Sequence, residues 1–91
     1  MFKKLTPQRV QHSSGYIVQT GSRDSLQYVN GDLIAEVKAD FGQVTTIYPN
    51  SLVLRKKEME VLPSIEEQEL ILRCITAALD FLGEKYELHR E

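Results

Sequence analysis

A chain of 91 residues with 42% hydrophobic and 26% charged residues can build one core but not two, because a domain of this size buries only about 60 to 65% of the surface its unfolded form exposes. That balance lies near the globular average, so a disordered or low-complexity chain is excluded. The formal net charge of −2 hides an asymmetry: residues 1–23 hold Lys3, Lys4, Arg9 and Arg23 and no acid, a local +4, which leaves −6 for residues 24–91. An acidic body disfavours nucleic acid phosphates; at this magnitude its first reading is solubility, with a basic partner as the alternative.

The opening stretch "MFKKLTPQRVQHSSG" carries two lysines but no apolar run after them, so it does not read as a secretory signal. No element is assigned within residues 1–14, which read as a flexible lead. Period-two patterning starts with "GYIVQT", where Tyr16, Val18 and Thr20 share one face, and this predicts the first strand. "GSRDS" supplies turn chemistry. In "LQYVNGDLIAEVKA", Asn30-Gly31 between alternating runs predicts a hairpin, since both residues tolerate positive φ. A two-residue Asn30-Gly31 loop would set Val29 opposite Asp32, Tyr28 opposite Leu33 and Leu26 opposite Ala35. Leu26, Tyr28, Leu33, Ala35 and Val37 then form the core face, with Gln27, Val29, Asp32, Ile34, Glu36 and Lys38 behind.

"ADFGQ" reads as a second turn, "VTTIY" as a strand ended by Pro49-Asn50, and "SLVLRK" as a short fifth strand. The polar stretch "KKEMEVLP" reads as a loop pinned to the body by Met59, Val61 and Leu62. The period then changes. Pro63 precludes an earlier start, Ser64 is the expected N-cap, Glu67 completes a capping box, and Gly83 is the expected C′ residue. Along this helix Ile65, Ile71, Leu72, Ile75, Ala78, Leu79 and Leu82 form one apolar stripe, expected to face the sheet. A second stripe, Leu70, Cys74, Ala77 and Phe81, needs cover from the chain's own ends or from a partner. "YEL" after the helix alternates as a sixth, edge strand would.

The expected fold is therefore α+β: one domain over residues 1–91, an antiparallel β-meander of about five strands, a C-terminal edge strand as a sixth, and one long helix packed on one face. The longest apolar run, residues 75–82, is broken by Thr76 and Asp80 and falls far short of the ~20 residues of a membrane span, so no membrane partner is expected. Cys74 is the only cysteine, which excludes an internal disulfide and fits a reducing, cytoplasmic compartment.

Chemistry-bearing patterns are sparse. His12 and His89 stand far apart without metal-ligand spacing, and "HSSG" places a serine beside a histidine without a triad. Gly15 and Gly21 precede no helix, so they cradle no phosphate. Arg55, Lys56 and Lys57 are followed at once by acids, with no aromatic platform for nucleic acid. No catalytic, cofactor-binding or metal-binding residues are assigned, no cofactor is expected, and the chain is not read as an enzyme. What remains is a partner-binding surface of acids and exposed aromatics: Asp32, Glu36, Asp40, Phe41, Tyr48, Glu58 and Glu60.

Four stretches, "GYIVQT", "YVNGD", "FGQVTTIYPNSL" and "LPSIEEQELILRCITAALDFLGEKYEL", together resemble the small immunity proteins of bacterial polymorphic and contact-dependent growth inhibition toxin systems, in particular the group numbered seventy-four. The resemblance runs from Tyr16 onward. It implies an α+β fold, a cytoplasmic location, and a stoichiometric inhibitor that binds the C-terminal domain of a cognate toxin, a nuclease by expectation, and occludes its active site. Two alternatives stand beside it. One is a small ligand-binding domain or enzyme with its site between the sheet and the 55–63 loop. The other is a subunit that pairs through the helix flank, so the oligomeric expectation is a monomer or weak dimer.

Overall fold

The computed structural model describes residues 1–21, 23–56 and 59–89. Among these residues eight strands and one helix follow in the order β1 (Phe2–Thr6), β2 (Arg9–His12), β3 (Ile17–Thr20), β4 (Ser25–Asn30), β5 (Leu33–Asp40), β6 (Thr45–Lys56), β7 (Met59–Val61), α1 (Ile65–Leu82) and β8 (Tyr86–Leu88). Strands β1 to β7 are neighbours in chain order and antiparallel, whereas β8 returns from the helix to lie parallel beside β6. The α+β class with one helix on a sheet holds, but a simple five-stranded antiparallel meander does not: the sheet is mixed, larger and curled. Residues 1–14 contribute β1 and β2, and the 55–63 segment contributes β7.

The hairpin at "YVNGD" forms one position later than its Asn-Gly pair suggests. Asn30 pairs with Leu33, Val29 with Ile34, Tyr28 with Ala35 and Leu26 with Val37, so the loop is Gly31-Asp32, with Gly31 at φ +61°. Moving the loop by one residue moves each partner by two, and a two-residue change preserves the face. Leu26, Tyr28, Ala35 and Val37 are accordingly buried together, with Leu33 at their edge.

Strand β6 does not end at Pro49-Asn50. It runs on through a bulge: Glu36 pairs with Val53 and Lys38 with Tyr48, so β6 advances five residues while β5 advances two. Three extra residues, an odd number, switch the inward series from Ile47 and Pro49 to Leu52 and Leu54. Proline is tolerated where the ladder is already interrupted. Side chains repair the break: Ser51 Oγ accepts from the Lys38 N–H at 2.8 Å and donates to the Tyr48 carbonyl at 2.6 Å, while Gln68 Nε2 of the helix donates to the Pro49 carbonyl at 2.8 Å. The bulge bends β6, and the sheet curls toward the helix.

The helix begins and ends where its local chemistry dictates. The Glu67 N–H donates to Ser64 Oγ at 3.1 Å and the Ser64 N–H donates to Glu67 Oε1 at 3.0 Å. Those bonds hold the Glu67 carboxyl below its ordinary value. Gly83 takes φ +74° and its N–H returns to the helix carbonyls. Ile71, Leu72, Ile75, Ala78 and Leu79 are buried against β3, β4 and β6. Ile65 does not join the buried stripe: it is 79% exposed, and at about 100° per residue it lies roughly 80° round the helix from Ile75. Met59, Val61 and Leu62, expected as anchors, are likewise 68%, 48% and 79% exposed.

The second helical stripe is covered in part by the chain itself. Phe2 of β1 reaches Phe81 with ring centroids 5.5 Å apart, and Phe2 and Cys74 both pack against the core. Tyr16 lies beneath them, stacked on His12 at 4.7 Å and beside Tyr28 at 5.2 Å. Burial, and then a side-chain bond to Cys74, pushes the Tyr16 phenol well above its ordinary 10.0. The unfolded chain ionises this tyrosine near 10.0 and the folded chain does not, so this contribution is present below that pH and is lost as pH rises through the folded value. Leu70 and Phe81 remain about half exposed.

These assignments predict contrasting substitutions. Ile75→Ala, at a side chain with no exposure, is expected to cost about 2 to 5 kcal/mol in urea unfolding, whereas Ile65→Ala should stay within about 0.5 kcal/mol. Ser64→Ala is expected to cost about 1 kcal/mol. Since the folded Glu67 carboxyl titrates below its ordinary 4.5, its contribution is present above that pH and fades as pH falls through the folded value, so the gap between wild type and Ser64→Ala should narrow in acid.

Candidate functional site

With α1 on the inner face of the sheet, the outer face is left without a helix among the described residues. Residues paired directly across antiparallel strands share a face, so the rows of this surface follow from the register. One row runs Gln11, Ile17, Val29, Ile34, Arg55, Glu60 across β2 to β7. The next runs Arg9, Gln19, Gln27, Glu36, Val53. Ile17, Val29 and Ile34 thus stand side by side across β3 to β5, and Val53, opposite Glu36 and diagonal to Ile34, extends them into a β-branched strip framed by amides and charges.

Glu36 is the best-held acid on this face. Ser25 Oγ and Gln27 Nε2 each donate to its Oε2 at 3.1 Å, and Gln19 Nε2 donates to Gln27 Oε1 at 2.9 Å, extending the chain of bonds over three strands. Arg55 lies 3.7 Å from Glu36 Oε1. At that distance and with Arg55 half exposed, the ion pair adds little stability and serves mainly to orient the carboxylate. Gly21 lets the loop after β3 lie against this network: a Cβ there would stand 2.7 Å from Ser25 Oγ and 2.8 Å from Gln27 Cγ. Its N–H donates to the Ser25 carbonyl at 3.0 Å.

Farther along the same face, Tyr48 pairs beside Lys38 and Asp40 beside Thr46. The Tyr48 hydroxyl donates to Asp40 Oδ2 at 2.5 Å, and the ring meets His89 edge-on at 5.5 Å. This hydrogen bond, first of all, raises the Tyr48 phenol above its ordinary value, because ionisation would set a phenolate against a carboxylate.

The structure therefore brings Glu36, Asp40, Tyr48 and Glu60 onto one surface. Asp32 stands apart in the β4–β5 turn, and Glu58 lies outside the described residues. Phe41 belongs elsewhere: it is exposed in the β5–β6 connection and lines a cleft of about 590 Å³ with Val18, Leu26, Leu79 and Leu82, with Arg23 and Glu84 also on its wall. Among the described residues of the 55–63 segment none lines this cleft. No known protein family, curated protein or solved structure matches the chain.

The acids of the outer face stand out in the sequence by type, and Val29 and Ile34 by alternation. The apolar strip as a unit does not, since Ile17 and Val53 join it only through pairing across strands. Among the described residues no group of three or more His, Cys, Asp or Glu side chains is placed to hold a metal ion, and no helix is long and apolar enough to cross a membrane.

The Tyr48 contact generates a direct check. In NMR titration the Tyr48 phenol should ionise above the ordinary 10.0, and Asp40→Asn should return it toward that value by removing the carboxylate. An unchanged midpoint in the variant would show that Asp40 does not control it.

Proposed function

We propose that this chain is a non-enzymatic binding protein of the immunity type, which neutralises the C-terminal domain of a cognate toxin, a nuclease in the simplest case, by laying the outer face of its sheet over the toxin's active site. The observation that supports this reading is the β-branched strip Ile17, Val29, Ile34 and Val53, framed by Glu36, Asp40, Tyr48 and Glu60 on a face without a helix. An apolar centre with a polar, charged rim is the anatomy of a protein interface. Glu36 is already fixed by Ser25, Gln27 and Arg55, so little side-chain freedom is lost when it meets a cation. The acidic body described by residues 24–91 would speed encounter with a basic nuclease groove.

In this mechanism the inhibitor performs no bond chemistry. Carboxylates take positions that substrate phosphates would otherwise occupy, and the apolar strip excludes water from around them. The second reading, a small ligand-binding domain, finds support in the cleft beside Phe41 rather than in the 55–63 segment where the sequence suggests it. Soaking or titration with small ligands that fill this cleft would favour it.

Co-expression with the toxin domain encoded beside this chain should protect the cell, and the purified pair should bind one to one. Ile34→Glu, which places a charge in the middle of the strip, should weaken binding about tenfold or more while leaving the circular dichroism spectrum unchanged. Undiminished killing on co-expression would refute the immunity reading, and full affinity in Ile34→Glu would refute the outer face as its surface.

A further inference from the structure

The curled sheet does not close. Among the described residues β1 pairs only with β2, while β7 and β8 each pair only with β6, which leaves an unpaired edge on β1 at one end and on β7 and β8 at the other. An open edge offers a row of N–H and C=O groups to another strand, and proteins blunt such edges with charge. Here the two edges carry opposite charge. Strand β1, "FKKLT", holds exposed Lys3 and Lys4, while β7, "MEV", holds exposed Glu60 between Met59 and Val61. We propose that copies of this chain associate head to tail, with β1 of one copy extending the sheet beyond β7 of the next.

The face of each residue makes this pairing specific. Lys3 pairs with Gln11 and so lies on the outer face, and Glu60 pairs with Arg55 on that same face. Phe2 and Lys4 lie on the inner side with Val10, as do Met59 and Val61 with Leu54. When the two edges meet with their inner faces on one side, Lys3 comes beside Glu60. The aliphatic stem of Lys4 and the Phe2 ring come beside Met59 and Val61, covering side chains that are otherwise 68% and 48% exposed.

The other combinations are disfavoured. Two β1 edges would set lysines against lysines and two β7 edges would set Glu60 against Glu60, and like charges across a strand pair are destabilising. The lysines of β1 thus guard it against its own kind and not against β7. Copies in the same orientation pair these strands in parallel, as β6 and β8 already do within one chain. A heterologous contact of this kind repeats, closing into a ring or running on as a filament according to the rotation between copies. It takes up Glu60 at the margin of the outer face and leaves Ile17, Val29, Ile34, Val53 and Glu36 of every copy open, so it can stand or fall separately from the function proposed above.

Sedimentation equilibrium tests the proposal with the whole chain. At low ionic strength the weight-average mass should rise above 10.4 kDa with concentration, and added salt should bring it back. Lys3→Glu and Glu60→Lys should each hold the chain at the monomer mass. A chain carrying both substitutions, whose net charge equals that of the wild type, should recover association, as should a mixture of the two single variants. Both sites of change carry exposed side chains, and circular dichroism verifies folding. A wild type that stays at 10.4 kDa at every concentration, or association that Lys3→Glu leaves intact, would overturn the proposal, as would a double variant that stays monomeric.

Discussion

Burial of one helical stripe against one side of the sheet is the contact on which everything else depends. Ile71, Leu72, Ile75, Ala78 and Leu79 meet Val18, Leu26, Tyr28, Ala35, Val37 and Ile47 in a single cluster, and among the described residues no second core supplements it. A helix of 18 residues, about 27 Å long at 1.5 Å per residue, is enough to span one side of the sheet and no more. The outer face is left to solvent for that reason. A surface available for a partner is thus a consequence of chain length and helix count, and its character is set by which residues the strand register turns outward.

The bulge in β6 couples these two faces. Three extra residues reverse the inward series, so that Leu52 and Leu54 reach the core while Val53 and Arg55 turn outward to meet Glu36 and Ile34. Without that reversal the outer row would lose both its apolar end and the cation that orients Glu36. Ser51 and Gln68 supply the hydrogen bonds that the interrupted ladder cannot, which ties the helix directly to the element that shapes the outer face.

What could be read from the sequence was what is decided locally. The helix ends follow from Ser64, Glu67 and Gly83, whose bonds close within a few residues. The core face of the β4–β5 hairpin follows from alternation and survives a loop placed one residue away from Asn30-Gly31. The rest depends on distant pairing. In β1 and β2 only Val10 is buried, so their sequence shows no apolar alternation; β2 takes its strand form against β3, and β1 against β2. Strands β7 and β8 have three residues each and take shape only against β6. Pro49 carries a strand-ending signal in the sequence, yet its carbonyl is held by a helix residue far along the chain. Of the candidate site, residue type marked Glu36, Asp40, Tyr48 and Glu60, while the apolar strip between them required the register.

The central claim is that the outer face, and not the helix flank or the cleft beside Phe41, is the surface that meets a partner. Amide chemical-shift mapping during titration with the proposed toxin partner tests it most directly. The account predicts that perturbations concentrate on outward residues of β3 to β7, led by Ile17, Val29, Ile34, Glu36 and Val53, with the amides around Leu70 and Phe81 unmoved. Perturbations confined to the helix flank, or to the cleft walls at Leu79, Leu82 and Phe41, would contradict it.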